Sequence, residues 1–190
     1  MRVVMVAGPG AGKGTQATRL AEPRGLLHVS TGHLLRDHVD RGTPLGLRLR
    51  PVLDRGELVP DDVVLEMVRE ALDAAPSQGY VLDGLPRTVA QAEALSEMTA
   101  RLGCEPDVAL HLEVAPAELV RRLLARAAAE GRSDDSEDVI RRRIEVYDEQ
   151  TRPLLGWYRE RGVLVSVAAT GSPDEVAQRV AAELARRTAG

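Results

Sequence analysis

Apolar positions in this chain fall into two alternating kinds of run. Short unbroken runs, Val3–Val6, Leu27–Val29, Tyr80–Leu82, Val108–Val114 and Val163–Val167, predict strands buried on both faces. Between them, apolar residues recur at helical spacing. Asp61–Ala74 is the clearest case, with Val64, Leu65, Val68 and Leu72 on one face. Further helices are predicted over Gly12–Glu22, Gly32–Arg41, Pro44–Asp54, Thr88–Leu102, Pro116–Ala129 and Pro173–Arg187. A longer helical stretch, Glu137–Arg161, is interrupted at Pro153. Strands alternating with helices predict an α/β fold, a doubly wound parallel sheet of about five strands. Two segments, 30–59 and 122–134, interrupt the alternation. They predict small excursions over the carboxyl ends of the strands, leaving 1–29, 60–121 and 135–190 as the core.

Composition narrows the class. The 190 residues carry a net charge of −4, so no global basic field points to nucleic acid. One cysteine, Cys104, excludes an internal disulfide and a four-cysteine zinc site. The apolar stretch near the N-terminus is too short for a signal peptide or a membrane span. A cytoplasmic protein is expected, with no membrane partner. Of 25 basic residues 24 are Arg, so Lys13 is the only lysine. With arginine the default cation, that lysine calls for a local reason.

Its surroundings supply one. The stretch AGPGAGKGT follows a predicted strand and enters a predicted helix. Glycines at 8, 10, 12 and 14 let the backbone approach an anion closely, with N–H groups and the helix N-terminus aimed at it. A narrow cradle of this kind suits a compact ammonium better than a wide, planar guanidinium. The strict phosphate-loop pattern is missed twice, because Ala7 replaces its first glycine and Gly14 separates Lys13 from Thr15.

The ordered motifs GPGAGKGTQ, STGHLLR, GELVPDD, LDGLPRT, GRSDD and IRRR resemble the adenylate kinase family of nucleoside monophosphate kinases over nearly the whole chain. The resemblance implies a core with a phosphate loop, an AMP-binding subdomain at 30–59 and a short lid at 122–134. It implies ATP contacts from Gly8, Pro9, Gly10, Ala11, Gly12, Lys13, Gly14, Thr15, Arg122, Arg126 and Thr170. For AMP it implies Thr31, Arg36, Glu57, Leu58, Val59, Gly84, Arg87, Gln91, Arg132 and Arg143. Lys13, Arg87, Arg126, Arg132 and Arg143 would surround the transferring phosphoryl group. Thr15, and Asp83 through water, would serve Mg²⁺, the expected cofactor. Asp134 and Asp135 would pair with cations of the lid or core.

These roles suit the residue types. Forked guanidinium groups clamp phosphate, and a glutamine amide offers both a donor and an acceptor to a base edge. Arg121, Arg141 and Arg142 fit solvated helix faces instead. His33 stands where the family usually has an acid, Leu85 where an aromatic is common, and Ala168-Ala169 where Asp-Gly is frequent. The expected reaction is Mg-dependent ATP plus AMP giving two ADP, catalysed by a monomer. Two alternatives stay open on sequence: another nucleoside monophosphate as acceptor, or nucleotide binding without turnover.

Overall fold

The computed structural model describes residues 1–74, 79–130 and 136–188. Among these residues five strands are found: β1 (Arg2–Val6), β2 (Leu27–Ser30), β3 (Tyr80–Asp83), β4 (Val108–Glu113) and β5 (Leu164–Ala168). They form one parallel sheet in the order β2-β3-β1-β4-β5. The helices are α1 (Lys13–Ala21), α2 (Thr31–Asp40), α3 (Pro44–Asp54), α4 (Asp61–Ala74) and α5 (Val89–Arg101). They continue with α6 (Pro116–Glu130), α7 (Glu137–Val146), α8 (Leu154–Glu160) and α9 (Pro173–Thr188).

The unbroken apolar run of β1 is explained by two cores. Val3 and Met5 face one of them, packed with Leu20 of α1, Leu119 of α6, and Val176 and Val180 of α9. Val4 and Val6 face the other, packed with Val68 of α4, Leu95 of α5 and Leu154 of α8. Side chains alternate across a strand, so a strand covered on both sides has no polar face. The helical face read from α4 behaves as expected. Val64, Val68 and Leu72 are buried, and Leu65 packs against the same core while partly exposed.

The connection leaving β1 runs to the β2 side of the sheet, whereas the one leaving β3 runs to the β4 side. A crevice opens where such directions diverge, outside the carboxyl ends of the strands. Register puts Asp83 beside Met5 on one flank and Ser30 on the other. The last residue of β3 is thereby set at the mouth of the phosphate loop.

The long helical stretch breaks earlier than the proline predicts. α7 ends at Val146, and a wide π-type turn spans Tyr147–Thr151, closed by Arg152 N donating to Tyr147 O at 2.8 Å. Pro153 has no N–H to give Glu149 and its ring would crowd that carbonyl. One extra residue in the preceding turn absorbs the conflict. In the interrupting segments, 30–59 holds the end of β2, α2, α3 and the loop after them, and residues 122–130 continue α6. Among the described residues no helix is long and apolar enough to cross a membrane.

Candidate active site

The phosphate loop leaves β1 at Ala7 and enters α1 at Lys13. Gly12, next to the first helical residue, has φ +89°, a left-handed conformation that disfavours a side chain. Gly8 and Gly10 have a reason invisible in sequence. A Cβ on Gly8 would fall 2.7 Å from Leu119 Cδ1, and one on Gly10 2.9 Å from Leu123 Cγ and 3.1 Å from Leu119 O. The loop therefore lies directly on α6. Gly10 also has φ +80°. We expect Gly10→Ala to destabilise the protein by about 2 kcal/mol or more, since both backbone conformation and packing are violated. Gly12→Ala, with nothing within 4 Å of the added carbon, should cost less. Denaturant titration of both variants checks this, and the reverse order of cost would refute the packing explanation.

Lys13 Nζ donates to Ala7 O at 2.8 Å and Gly8 O at 3.0 Å, so the ammonium sits inside the loop. Desolvation lowers its pKa to about 8; Asp83 opposes this, while Arg87, Arg143 and Arg126 add to it. Three arginines, from the loop after β3, from α7 and from α6, thus act on the Lys13 charge. Burial likewise lowers the pKa of Arg87, with Arg143 and Arg36 pushing the same way.

Of these side chains, Lys13, Arg36, Arg87 and Arg143 line a cavity of about 630 Å³ at the carboxyl edge of the sheet. Its lining includes Pro9, Lys13, Thr31, Arg36, Glu57, Leu58, Val59, Gly84, Arg87, Gln91 and Arg143. It also includes Tyr147 and Thr151 of the π-type turn, which sequence reasoning missed. Gly84, at φ +98°, allows the end of β3 to pass close to Thr31, because a Cβ there would meet Thr31 Oγ1 at 2.4 Å. Its carbonyl accepts from Arg87 Nε at 2.8 Å, which orients the guanidinium. Gly56 brings the loop after α3 against α7: a Cβ there would lie 2.9 Å from Arg143 Cγ. Glycine at 56 leaves the room that the stem of Arg143 occupies.

Gln91 is buried, 2% exposed. Its Oε1 accepts from Arg87 N at 2.7 Å, and its Nε2 donates to Asp61 Oδ1 at 2.6 Å. One N–H and one lone pair of the amide are left for other partners. Thr88 caps α5, its hydroxyl accepting from Gln91 N at 3.1 Å. The Thr-x-x-Gln spacing is a helix-start signal that sequence could have revealed. Nothing in the sequence pointed to Asp61.

Arg122, Thr170 and Thr15, expected from the sequence on the ATP side, lie outside this cavity. Arg122 donates through Nε to Glu118 Oε1 at 2.7 Å and through Nη2 to Ala169 O at 3.0 Å. Hydrogen bonds from Arg121 and Arg122 hold Glu118 down to a pKa of about 2, so it stays ionised and keeps Arg122 in place. Thr170 follows in the exposed loop after β5, where its carbonyl accepts from Arg179. Arg122 and Thr170 thus flank one loop, outside the larger cavity. Thr15 is exposed in the first turn of α1, and Gly14 borders Asp83, 3.5 Å from a Cβ position to Oδ2. Gly8 opens instead onto a second cavity of about 240 Å³. Arg121, Arg141 and Arg142 pair with Glu118, Glu137 and Glu145 on exposed helix faces. His33 is exposed at the rim of the larger cavity. Arg132, Asp134 and Asp135 lie outside the described residues.

A hard divalent cation fits the donors present. Asp83 is 9% exposed, and Ser30 Oγ donates to its Oδ2 at a long 3.4 Å. That leaves carboxylate lone pairs for metal-bound water, the usual mode for Mg²⁺. Among the described residues no group of three or more His, Cys, Asp or Glu is placed to cage a metal.

A parallel sheet with a glycine-rich loop feeding a helix, facing cations gathered at one crevice, defines a phosphate-loop phosphotransferase. Comparison with known proteins goes further. The family model for adenylate kinase matches residues 5–163. An adenylate kinase of Thermus thermophilus is 53% identical over 182 residues, covering 96% of each chain. One from Synechococcus is 50% identical over 184 residues, covering 97% of this chain and 98% of its own. One from Xanthomonas euvesicatoria is 46% identical over 187 residues, covering 98% and 100%. The chain belongs to the adenylate kinase family and is a phosphotransferase enzyme.

Proposed function

We propose that AMP-dependent phosphoryl transfer from ATP, the family's reaction, runs in this chain between the phosphate loop and the 630 Å³ cavity. The observation that carries this reading is the gathering of Lys13, Arg36, Arg87 and Arg143 around one cavity, with Arg126 also acting on the Lys13 charge and Asp83 opposing it. Such a field suits a polyphosphate and a second phosphate brought together. AMP occupies the cavity, its phosphate clamped by Arg36 and Arg87 and its base facing Gln91 and the 57–59 backbone. ATP lies along the phosphate loop, with its adenine between Arg122 and Thr170. An AMP phosphate oxygen attacks the γ-phosphorus in line, and ADP leaves. No general base is needed. Positioning and charge stabilisation do the work, with Lys13, Arg126, Arg132 and Arg143 meeting the oxygens on which charge collects.

Mg²⁺ arriving with ATP neutralises part of the polyphosphate charge, and Thr15 and Asp83 would hold its waters. Residues 30–59 act as the acceptor subdomain and 122–134 as a lid whose closure excludes water. The enzyme works as a cytoplasmic monomer on ATP, AMP and ADP, without nucleic-acid or membrane partners.

ADP formation from ATP with AMP, run beside a panel of other nucleoside monophosphates, tests the reaction. Gln91→Ala tests the acceptor site. We expect the KM for AMP to rise by about tenfold or more while that for ATP hardly moves, because a buried base edge loses its partner. Equal effects on both substrates would remove Gln91 from the site.

A further inference from the structure

Asp61 opens α4, 30 positions before Gln91 in sequence, yet its Oδ1 accepts from Gln91 Nε2 at 2.6 Å. On the other side, Gln91 Oε1 accepts from the Arg87 backbone N–H at 2.7 Å. These partners make opposite demands. A backbone N–H only donates, and an ionised carboxylate only accepts. Turning the amide over would set N–H against N–H at Arg87 and oxygen against oxygen at Asp61. Both mismatches fall on the Gln91 amide, which is buried although Asp61 reaches it from an exposed helix start, and an unpaired polar atom there is costly. The amide therefore has one orientation, and its remaining N–H and lone pair have fixed positions.

That orientation bears on which base the cavity accepts. Adenine presents an acceptor at ring N1 beside an amino donor at C6. Hypoxanthine presents the reverse, an N1–H donor beside a C6 carbonyl. A glutamine free to turn over satisfies either edge, but a locked one satisfies only one. We propose that Asp61 is a specificity-determining positioning residue, whose carboxylate holds the Gln91 amide so that the site takes a 6-aminopurine nucleotide and refuses a 6-oxopurine one. The proposal rests on the reading that Gln91 faces the acceptor base.

Asp61→Asn is nearly isosteric, but its amide can donate as well as accept. Gln91 could then turn over against the Arg87 contact alone. The measurements are kcat/KM for AMP and the inhibition constant of IMP against AMP, in wild type, Asp61→Asn, Asp61→Glu, Asp62→Asn and Gln91→Ala. Asp61→Asn is expected to strengthen IMP relative to AMP by about tenfold, with the KM for ATP unchanged. Asp61→Glu keeps an acceptor-only group and should retain wild-type discrimination. Asp62→Asn removes a neighbouring acid from the same helix turn, controls for helix charge, and should also leave discrimination intact.

A merely structural role for Asp61 would weaken AMP and IMP alike, and an unchanged ratio in Asp61→Asn overturns the proposal. If Gln91→Ala raises the AMP KM while that ratio is unchanged, the lock alone fails. If Gln91→Ala leaves the AMP KM untouched, the reading of the acceptor site fails and the proposal falls with it.

Discussion

Lys13→Arg lowers turnover by about two orders of magnitude or more, roughly 2.7 kcal/mol of transition-state stabilisation. The charge is retained, so the long-range field hardly changes. What changes is shape. The ammonium reaches the Ala7 and Gly8 carbonyls from inside the loop, and a guanidinium cannot fold into that space without displacing the loop. The melting temperature of the unliganded variant should fall by only a few degrees, reflecting those two lost contacts. AMP affinity, set mainly by other elements, should change less than turnover. Turnover within a few-fold of wild type would refute the idea that this lysine is kept for its shape.

The same residue gives a pH signature. Its pKa is lowered to about 8, mainly by desolvation, so the free enzyme loses the Lys13 charge as pH rises through 8. kcat/KM for ATP, which reports the free enzyme, should fall above pH 8 in the wild type and show no such limb in Lys13→Arg. Stability moves the other way. Between about 8 and the unfolded value of 10.5, the unfolded chain binds the proton that the native state has released. This group therefore raises stability as pH climbs through that window. A limb caused by unfolding would have the opposite sign in a melting experiment.

Arg87→Ala reduces kcat/KM for AMP by about a thousandfold, or roughly 4 kcal/mol, because a charge-assisted fork is lost where the acceptor phosphate must be held. The KM for ATP should move far less. The unliganded melting temperature should also move little. The lost bond to Gly84 O and lost attraction to Asp83 are offset by relief of desolvation and of repulsion from Arg143 and Arg36, the effects that lower the Arg87 pKa. A drop of only a few-fold in AMP efficiency would exclude Arg87 from the phosphate clamp. Parallel losses for both nucleotides would indicate a general disturbance of the crevice.

Lys13, Thr31, Arg36, Arg87, Gln91 and Arg143 were all expected from the sequence to share a site, and the fold brings every one of them to a single cavity. Lys13, Thr31, Arg87 and Gln91 lie in short motifs tied to the end of a strand or the start of a helix, whereas Arg36 and Arg143 sit well inside α2 and α7 and were marked by the resemblance alone. The reasons behind some of them were not legible. Gly8 and Gly10 read as room for phosphate, yet it is Leu119 and Leu123 of α6 that occupy the space beside them. The break in the long helical stretch was read at Pro153, but the strain is taken up at Tyr147–Thr151, which brings Tyr147 and Thr151 to the cavity wall. A proline marks a conflict in the backbone. Where the conflict is relieved depends on what the helix packs against.

The sequence by itself determined the elements and their class. Strand and helix follow from the 2.0 and 3.6 periodicities, and the phosphate loop from glycines between a strand and a helix start. All of these are local, carried by neighbours within a few positions. Only the tertiary structure decided the partnerships across long separations. The strand order β2-β3-β1-β4-β5 puts Asp83 beside the phosphate loop, and the packing of α4 against α5 brings Asp61 to the amide of Gln91. The physical reason is range. A hydrogen bond or a missing Cβ acts over a few ångströms, and only folding brings residues 30 or more positions apart within that reach.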